Sequence, residues 1–441
     1  MSKYIIQGNS PLRGEVTIQG AKNAAQKILP ATIVFPGTYV LNNLPRIQDT
    51  AALIEILRFL GAEVAFIAPH TVRIDTEHVV TKEIPPEITA LSTGTFLFAG
   101  ALLSRYGEVK LWHPGGDRIG KRPVTWHLDA FRRLGASIHE ADAYYEVRAP
   151  RLVGTTIPFV RPTANGAVNA VIAASRAVGE TIIENVAPEP EIRNAITFLQ
   201  TIGAQVEWRD THSLHVHGVD QGTGSGEIDM IPDRNDAATF LIAGVLGHGP
   251  VTLQDVRADH LTPLLEALTF VGATLELHAD HGRESITVQC AALNPVGLDI
   301  TSRPYPGFST DWGPLIQVLM TQLPAASTFH ETIFSRRFVH ISELVKMGAT
   351  VRSVDLSADE SLYNFPPTPE AGGFHAIQIQ GPDHLHGTVV HANDVRAGAA
   401  LVLSGLIASG VTEVTGIEQV ERGYEAFAER LNQLGAAIQQ G

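Results

Sequence analysis

The sequence predicts an α/β protein of two inside-out domains, in which buried helices lie inside and sheets lie outside. Three observations predict this fold. The chain has 441 residues, which is too many for one ordinary core. An apolar-Gly-Ala signature followed by an alternating apolar pattern recurs six times, at intervals of about 70 to 90 residues. A strand pattern, usually opened by glycine, precedes each signature. Three repeated helix-strand-helix-strand units in each domain account for these counts.

Each Gly-Ala signature marks the end of a helix. A helical pattern such as that of residues 51–60 precedes the glycine, which stands where a helix needs a residue in the left-handed conformation. A strand is predicted after every such helix. The six glycines are Gly61, Gly135, Gly203, Gly272, Gly348 and Gly435.

The other helix of each unit is apolar on nearly every face. Residues 95–104 and 397–406 are examples, rich in alanine and leucine. A helix without a polar face is buried in the interior of a protein. These helices are therefore predicted to form the centre of each domain.

The boundary between the domains is predicted near residues 229–233. It follows the glycine-rich segment 222–226, which is a weak match to a phosphate loop and is expected to form a hairpin turn. The N-terminal domain is predicted to span residues 22–230, and the C-terminal domain residues 231–441. The active site is expected in the cleft between the domains.

Composition excludes several classes of protein. Apolar residues make up 44% and charged residues 18%, as in ordinary globular proteins, and the sequence has no apolar stretch long enough to cross a membrane. The first residues lack the apolar core of a secretion signal, so a cytoplasmic location is expected. A net charge of -14 argues against binding to nucleic acid or to anionic lipid.

Cysteine and histidine usage predicts neither a disulfide nor a metal centre. The single cysteine, Cys290, lies in an alternating strand pattern and is expected to be buried and inert. His215 and His217 share a face of a strand, and residues 383–386 carry two more histidines, so a metal site is the alternative. A third ligand at usable spacing is lacking in the sequence, and no metal is predicted.

Acidic and basic residues recur at element ends and in loops, where side chains can converge. Lysine and asparagine in Gly-Ala-Lys-Asn open a helix, whose N-terminus favours an anion, although a helix-start lysine is usually solvated. The glycine- and proline-rich loop of about residues 112–123 is predicted to be mobile and to carry a catalytic group, the alternative being a plain hairpin tip. The candidates are Lys22, Asn23, Asp117, Arg118, Lys121, Arg122, Asp311, Arg336, Arg337, Asp394, Arg396, Arg422 and Glu425.

All of these residues except Arg336 lie within motifs that occur in a known order. The motifs are GAKNAA, PGGxxIGxRPVxxH, ENxAxEPEI, PDR, PxFxTD, Arg-Phe-x-His at residues 337–340, DxRA and RGYE. In these motifs, and along nearly its full length, the chain resembles the UDP-N-acetylglucosamine 1-carboxyvinyltransferase family of enolpyruvyl transferases. The resemblance implies two inside-out α/β domains of three repeats each. It also implies that residues 1–21 pack with the C-terminal domain.

The resemblance assigns roles to individual residues. Lys22, Arg122 and Arg422 would bind the phosphate and carboxylate of phosphoenolpyruvate, which fits the need of this anion for several cations. Asp311 would accept the proton of the sugar 3-hydroxyl, and Asp394 and Arg396 would flank the reacting carbon. Contacts to the UDP-sugar would come from Asn23, Arg122, Pro123, Val124, His127, Arg161, Thr163, Asn165, Ile333 and Arg337.

Two positions depart from the family pattern. Asp117 stands where the family usually has the cysteine that protonates the methylene of phosphoenolpyruvate. A carboxylic acid can perform that step, but it is a poor nucleophile for fosfomycin, so insensitivity to this inhibitor is expected. Thr93 stands where the family commonly has an arginine, which predicts weaker phosphoenolpyruvate binding or a different acceptor.

The predicted reaction is transfer of the enolpyruvyl group of phosphoenolpyruvate to the 3-hydroxyl of UDP-N-acetylglucosamine, with release of phosphate. It begins peptidoglycan precursor synthesis and so serves cell wall formation, cell shape and division. The alternatives are an enolpyruvyl transferase for another acceptor, such as shikimate 3-phosphate or another nucleotide, and a non-catalytic UDP-sugar-binding paralogue. No metal or organic cofactor is implied, because the chemistry is proton transfer, addition and elimination. The expected partners are the two small-molecule substrates, and the expected state is a monomer or weak oligomer.

Overall fold

A computed structural model describes residues 2–90, 92–113, 124–356, 360–364 and 375–441. By its contacts the chain divides into two compact units. One, here called the N-terminal unit, contains the described residues between 20 and 231. The other, the C-terminal unit, contains residues 2–19 and the described residues from 232 onwards. Each unit has its own hydrophobic core.

Strands are labelled in chain order. They are β1 (Lys3–Gln7), β2 (Gly14–Thr17), β3 (Thr38–Asn42), β4 (Glu63–Ala68), β5 (Thr71–Asp75), β6 (Glu83–Ile84), β7 (Glu108–Trp112), β8 (Ser137–Glu140), β9 (Tyr144–Arg148), β10 (Thr156–Thr163), β11 (Glu180–Val186), β12 (Gln205–Trp208), β13 (Ser213–His217), β14 (Ser225–Asp229), β15 (Val251–Val256), β16 (Thr274–Asp280), β17 (Arg283–Gln289), β18 (Asp299–Thr301), β19 (Ser327–His330), β20 (Val351–Val354), β21 (Ala376–Ile379), β22 (Val389–His391), β23 (Val411–Thr415) and β24 (Ala437–Gln440).

Helices are labelled in the same way. They are α1 (Lys22–Ala31), α2 (Gln48–Leu60), α3 (Pro86–Thr89), α4 (Leu97–Tyr106), α5 (Thr125–Arg133), α6 (Asn165–Ala174), α7 (Pro190–Thr201), α8 (Arg234–Leu246), α9 (Thr262–Phe270), α10 (Gly313–Met320), α11 (Ile341–Lys346), α12 (Val395–Ile407), α13 (Glu418–Glu421) and α14 (Phe427–Gln433). Short 3-10 turns add Thr93–Phe96, Ala258–His260, Thr310–Trp312 and Glu360–Leu362.

The described strands form six four-stranded sheets, three in each unit. All six share one pattern. One edge strand pairs in parallel with its neighbour, and the other two pairings in the sheet are antiparallel. In the N-terminal unit the orders are β14-β3-β5-β4, β6-β7-β9-β8 and β10-β11-β13-β12. In the C-terminal unit they are β22-β23-β1-β24, β16-β17-β15-β2 and β18-β19-β21-β20.

The predicted sixfold repeat and α/β fold class are confirmed. The six predicted glycines have φ angles between 95° and 106°, the left-handed conformation expected at a helix end. Each repeat also contains an edge strand and a hairpin-return strand beyond the two strands of the predicted unit, although the strand patterns at His215 and before Cys290 predict two of these returns, β13 and β17. The hairpin predicted at residues 222–226 is wrong, because this segment leads into β14, which pairs in parallel with β3.

Buried helices occupy the interior of each unit, and the sheets cover them. In the C-terminal unit every residue of α8 and α10 is buried, as are twelve residues of α12. In the N-terminal unit α1, α4 and α6 are buried in the same way. Across the described ranges no helix is both long and apolar enough to cross a membrane. Cys290 is buried as expected, and burial raises the pKa of its thiol.

Candidate active site

Asp311 lies in the C-terminal unit, in the 3-10 turn that precedes α10. Arg337 donates from Nη2 to Asp311 Oδ1 at 2.6 Å and from Nε to the carbonyl oxygen of Thr310 at 3.2 Å. The Nε of Arg396 lies 3.7 Å from the other carboxylate oxygen of Asp311. Two guanidinium groups therefore hold Asp311 from both sides and favour its ionised form, which a base requires. Its side chain is 25% exposed, whereas those of the arginines are almost fully buried.

Asp394 and Arg396 stand at the N-terminus of α12. Asp394 caps this helix, because its Oδ1 accepts the backbone N-H groups of Arg396 at 2.8 Å and Ala397 at 2.9 Å. Its Oδ2 is buried and has no hydrogen-bond partner among the described residues. The same holds for Nη1 and Nη2 of Arg396. A buried guanidinium with unused donors at a helix N-terminus is a preformed site for an anion.

The charge of Arg396 is set by its surroundings. Burial alone would lower the pKa of its guanidinium. Tyr424, Asp311 and Asp233 oppose this and raise the pKa above the ordinary arginine value, so the side chain is a permanent cation. The ring of Tyr424 lies under the guanidinium, with 5.0 Å between the guanidinium carbon and the ring centroid.

The turn of residues 422–425 is held by a side chain from the start of the chain. Gln19 donates from Nε2 to the carbonyl oxygen of Gly423 at 3.0 Å, and its Oε1 accepts the backbone N-H of Glu425 at 2.8 Å. Arg422, next to this clamp, donates to Gln419 Oε1 at 3.1 Å. Gln19, which sequence reasoning missed, therefore fixes the backbone on which Arg422 stands.

A buried ion pair between Arg430 and Asp236 supports the same turn. Arg430 donates from Nη2 to Asp236 Oδ2 at 2.6 Å and from Nη1 to Oδ1 at 3.0 Å. The carboxylate also accepts the backbone N-H of Gln19 at 3.2 Å. Such a two-pronged pair, with its remaining acceptor capacity used, fixes geometry better than a single contact does.

Ile333 follows strand β19 in the C-terminal unit. Its backbone N-H donates to Glu331 Oε1 at 2.7 Å. Glu331 is 1% exposed and accepts further hydrogen bonds. Sequence reasoning did not single out this glutamate, because nothing in its neighbours in the chain marks it as the centre of a network.

In the N-terminal unit, Lys22 is the first residue of α1 and is buried. Its Nζ lies 3.2 Å from Asp49 Oδ2, and Gln26 Nε2 lies 3.4 Å from the same oxygen. Lys22 is thus not a solvated helix-start lysine. The carbonyl oxygen of Asn23 accepts from Lys27 Nζ at 2.8 Å. Asp49, in the first turn of α2, is a site residue that the sequence did not identify, since it lies in a separate helix.

Val124 and His127 stand at the start of α5. Burial lowers the pKa of His127 to about 4, so the ring is neutral at pH 7. Asn169 Nδ2 lies 2.9 Å from Nδ1 of His127 and 3.0 Å from the carbonyl oxygen of Phe96. The Asn169 amide donates to Nδ1, which leaves Nε2 as the protonated nitrogen and therefore as a donor. Asn169, on α6, is a further residue that sequence reasoning missed.

Arg161, Thr163 and Asn165 lie together in the chain where β10 ends and α6 begins. Thr163 is buried, whereas Arg161 and Asn165 are partly exposed. The pairing of β10 with β11 shifts register between Pro158 and Thr163. Such a register shift changes the direction of the side chains that follow it, and it is typical of strands beside a binding site.

The remaining predicted residues have no described side chain. Asp117, Arg118, Lys121, Arg122 and Pro123 lie outside the described residues. Thr93 begins a 3-10 turn that is capped by Ser92, whose Oγ accepts the N-H of Gly94 at 3.1 Å. In the described part of the chain, no group of three or more histidine, cysteine, aspartate or glutamate side chains is arranged to hold a metal ion.

Comparison with known proteins places the chain in a family. The sequence profile of the EPSP synthase family, described as 3-phosphoshikimate 1-carboxyvinyltransferase, matches residues 6–431. A relative from Carboxydothermus hydrogenoformans, named UDP-N-acetylglucosamine 1-carboxyvinyltransferase 2, is 39% identical over 440 residues, covering 100% of this chain and 99% of its own. A relative from Hydrogenovibrio crunogenus named UDP-N-acetylglucosamine 1-carboxyvinyltransferase is 37% identical over 438 residues, 99% of each chain.

Solved structures agree on the fold. The enolpyruvyl transferase NikO from Streptomyces tendae superposes with a TM-score of 0.86 at 24% identity, covering 100% of this chain and 98% of its own. An EPSP synthase from Acinetobacter baumannii gives a TM-score of 0.72 at 18% identity, with 100% of each chain covered. The resemblance inferred from the motifs is confirmed: the chain belongs to the UDP-N-acetylglucosamine 1-carboxyvinyltransferase family, within the larger EPSP synthase family.

Proposed function

We propose that this protein transfers the enolpyruvyl group of phosphoenolpyruvate to the 3-hydroxyl of UDP-N-acetylglucosamine and releases phosphate. The observation that carries the proposal is the arrangement around Asp311. The carboxylate of Asp311 contacts both Arg337 and Arg396, and the two terminal nitrogens of Arg396 make no hydrogen bond in the described part of the chain. A carboxylate can accept the proton of the attacking hydroxyl. The donors of Arg396 that make no hydrogen bond can stabilise the negative charge of the substrate beside it.

The reaction needs three proton transfers. A proton is first added to the methylene carbon of phosphoenolpyruvate, and the adjacent carbon becomes electrophilic as the enol π electrons form the new C-H bond. The sugar oxygen attacks that carbon and forms a C-O bond, while its own proton passes to Asp311. The new methyl group then returns a proton to the conjugate base of the acid that protonated it, which re-forms the double bond as the C-O bond to phosphate breaks and phosphate leaves with the electron pair. The net products are the enolpyruvyl ether and phosphate.

Charged residues from several elements take part in this proposal. Lys22, Arg122 and Arg422 would bind the phosphate and carboxylate groups, since several cations in a dry site stabilise a highly charged anion. Arg396 would flank the reacting carbon. Asp394 would lie beside the reacting carbon with its free Oδ2. Asp117 would be the acid that protonates the methylene group.

The UDP-sugar would be recognised by a second set of side chains. His127, neutral and protonated at Nε2, can donate one hydrogen bond to an acceptor of the sugar nucleotide. The other contacts proposed are with Asn23, Arg122, Pro123, Val124, Arg161, Thr163, Asn165, Ile333 and Arg337. By this reaction the protein would begin peptidoglycan precursor synthesis in the cytoplasm, as a monomer or weak oligomer, with consequences for cell shape and division.

The experiment is phosphate release from phosphoenolpyruvate with UDP-N-acetylglucosamine as acceptor, run beside shikimate 3-phosphate and with a tube containing excess fosfomycin. Release with the UDP-sugar alone supports the proposal. Undiminished release in fosfomycin supports Asp117 as the acid. Release only with shikimate 3-phosphate would make that compound the acceptor. No release with either compound would indicate that Thr93 changes the acceptor, or that the protein binds a UDP-sugar without catalysis.

A further inference from the structure

Glu331 is a buried acidic residue that takes no part in the mechanism above, yet its bonds reach the proposed base. It directly follows strand β19 and is 1% exposed. Its Oε1 accepts from Ser302 Oγ at 2.9 Å and from the backbone N-H groups of Ile333 at 2.7 Å and Phe334 at 3.1 Å. Its Oε2 accepts from Thr310 Oγ1 at 2.8 Å. A buried carboxylate that accepts four hydrogen bonds fixes every group that donates to it.

Thr310 connects this carboxylate to Asp311. Its hydroxyl donates to Glu331, and its carbonyl oxygen accepts from Nε of Arg337 at 3.2 Å. The same guanidinium donates from Nη2 to Asp311, the next residue in the chain, at 2.6 Å. Glu331 therefore fixes the side chain of Thr310, and Arg337 fixes its backbone. Its orientation sets where the carboxylate of Asp311 stands.

We infer that Glu331 is a positioning residue for the proposed base Asp311 and acts through the hydroxyl of Thr310. This inference rests on the proposed function, since it assumes that Asp311 accepts the proton of the acceptor hydroxyl. Glu331 is 1% exposed, so it would act through the groups that donate to it rather than on a substrate. Its bonds to the N-H groups of Ile333 and Phe334 also hold the turn that leads to Arg337, so one side chain aligns both partners of the Asp311-Arg337 pair.

The surroundings of Glu331 act on its pKa in opposite directions. Burial raises the pKa of Glu331, while Arg337 and the hydrogen bonds of Ile333, Thr310 and Phe334 favour its charged form. A buried carboxyl group in this position is costly without its donors. The network is therefore expected to be sensitive to the loss of a single hydroxyl.

The test begins with Thr310→Val, which keeps the shape of the side chain and removes only its hydroxyl. We expect kcat to fall by about tenfold to a hundredfold, because a small displacement of a reacting group has effects of this order. The KM for phosphoenolpyruvate should change by less than about threefold, since the cations that bind it are not moved. Thr310→Ser, which restores the hydroxyl, should return kcat to within about threefold of the wild type.

Thr321→Val is the matched control. Thr321 lies at the opposite end of helix α10 from Thr310, is fully buried and donates from Oγ1 to the carbonyl oxygen of Val318 at 2.7 Å. Its hydroxyl donates to a backbone carbonyl rather than to a carboxylate, and none of its hydrogen bonds involves Asp311. Its loss should lower the thermal midpoint but leave kcat unchanged. Equal losses of kcat in Thr310→Val and Thr321→Val would show a general effect on folding and overturn the inference.

A double-mutant cycle tests Glu331 itself. Glu331→Gln should also lower kcat, and adding Thr310→Val to it should cost less than about threefold more, because both changes break one path. Independent, multiplicative losses would overturn the inference. A crystal structure of Thr310→Val gives a readout that does not depend on the reaction. We expect the contact between Asp311 and Arg337 to lengthen beyond hydrogen-bond range, and an unchanged contact would refute the positioning role even if the wild type proved inactive.

Discussion

Gln19 offers the most direct test of how this fold supports its site. Replacing it with leucine keeps a buried side chain of similar size and removes both clamps on the turn of residues 422–425. The side chain is 8% exposed, so water cannot replace the lost bonds. The backbone bonds of Gln19 to Asp236 and Asp233 are unaffected, because they do not involve the side chain.

The magnitude follows from the two groups left without partners. The carbonyl oxygen of Gly423 and the N-H of Glu425 lose bonds of 3.0 and 2.8 Å. A buried polar group without a partner costs about 1–3 kcal/mol, and the buried leucine offsets part of this. We therefore expect Gln19→Leu to lower the free energy of unfolding by about 2–4 kcal/mol.

Urea unfolding, followed by tryptophan fluorescence, measures this loss. Trp312 is buried in the same unit and reports on it. Gln7→Leu is the control, since Gln7 is exposed and makes a single long bond of 3.4 Å to the carbonyl oxygen of Gly410. If the two leucine variants unfold within about 0.5 kcal/mol of each other, the clamp contributes nothing and the reasoning fails.

The same variant has a second consequence for activity. Arg422 directly precedes the clamped Gly423, so a loosened turn should displace its guanidinium. The KM for phosphoenolpyruvate should rise by about threefold to tenfold, with a smaller effect on the KM for the UDP-sugar. A variant that is less stable at the predicted level but binds phosphoenolpyruvate normally would separate the structural role of Gln19 from any role in the site.

Three further predictions follow. Asp117→Asn should nearly abolish turnover while UDP-sugar binding by calorimetry stays close to normal, and Asp117→Cys should make phosphate release sensitive to fosfomycin; full activity of Asp117→Asn would remove Asp117 from the mechanism. Arg396→Met should lower kcat/KM by about a hundredfold to a thousandfold in steady-state assays, because it removes a buried cation, and a loss below about threefold would contradict the assigned role. Burial lowers the pKa of His340 from 6.5 to about 3, with the charge of Arg337 adding to the effect. Its contribution to stability is therefore complete above pH 6.5 and is lost at about 1.4 kcal/mol per pH unit as the pH falls towards 3. His340→Asn should reduce the slope of unfolding free energy between pH 6.5 and 5, measured by urea titration, and an unchanged slope would refute the assignment.

Much of the fold could be predicted from the sequence, because its signals are local. A glycine at a helix end must adopt a left-handed conformation within a few residues of the helix it ends, so six such signals revealed six repeats. Helices without a polar face reported their own burial for the same reason. The pairing partners of the strands were harder to predict from the sequence. The edge strand β14 pairs with β3, which lies at the other end of its unit in the chain, and no local pattern encodes such a pairing.

The candidate site likewise has a part that could be predicted from the sequence and a part that could not. Motifs identified Lys22, Asp311, Asp394, Arg396 and Arg422 as chemically informative, because these residue types stand at element ends, where side chains can converge. The partners of these residues could not be read from the sequence.

Asp49, Asn169, Gln19 and Glu331 each act on a group that lies far from them in the chain. The sequence by itself determined the family, the repeat and the residues that carry charge. Only the tertiary structure decided which of those charges are paired, which donors of Arg396 remain unused and which buried side chains hold them in place. The physical reason is that hydrogen bonds and ion pairs are set by distance in space, whereas helix ends and apolar faces are set by neighbours in the chain.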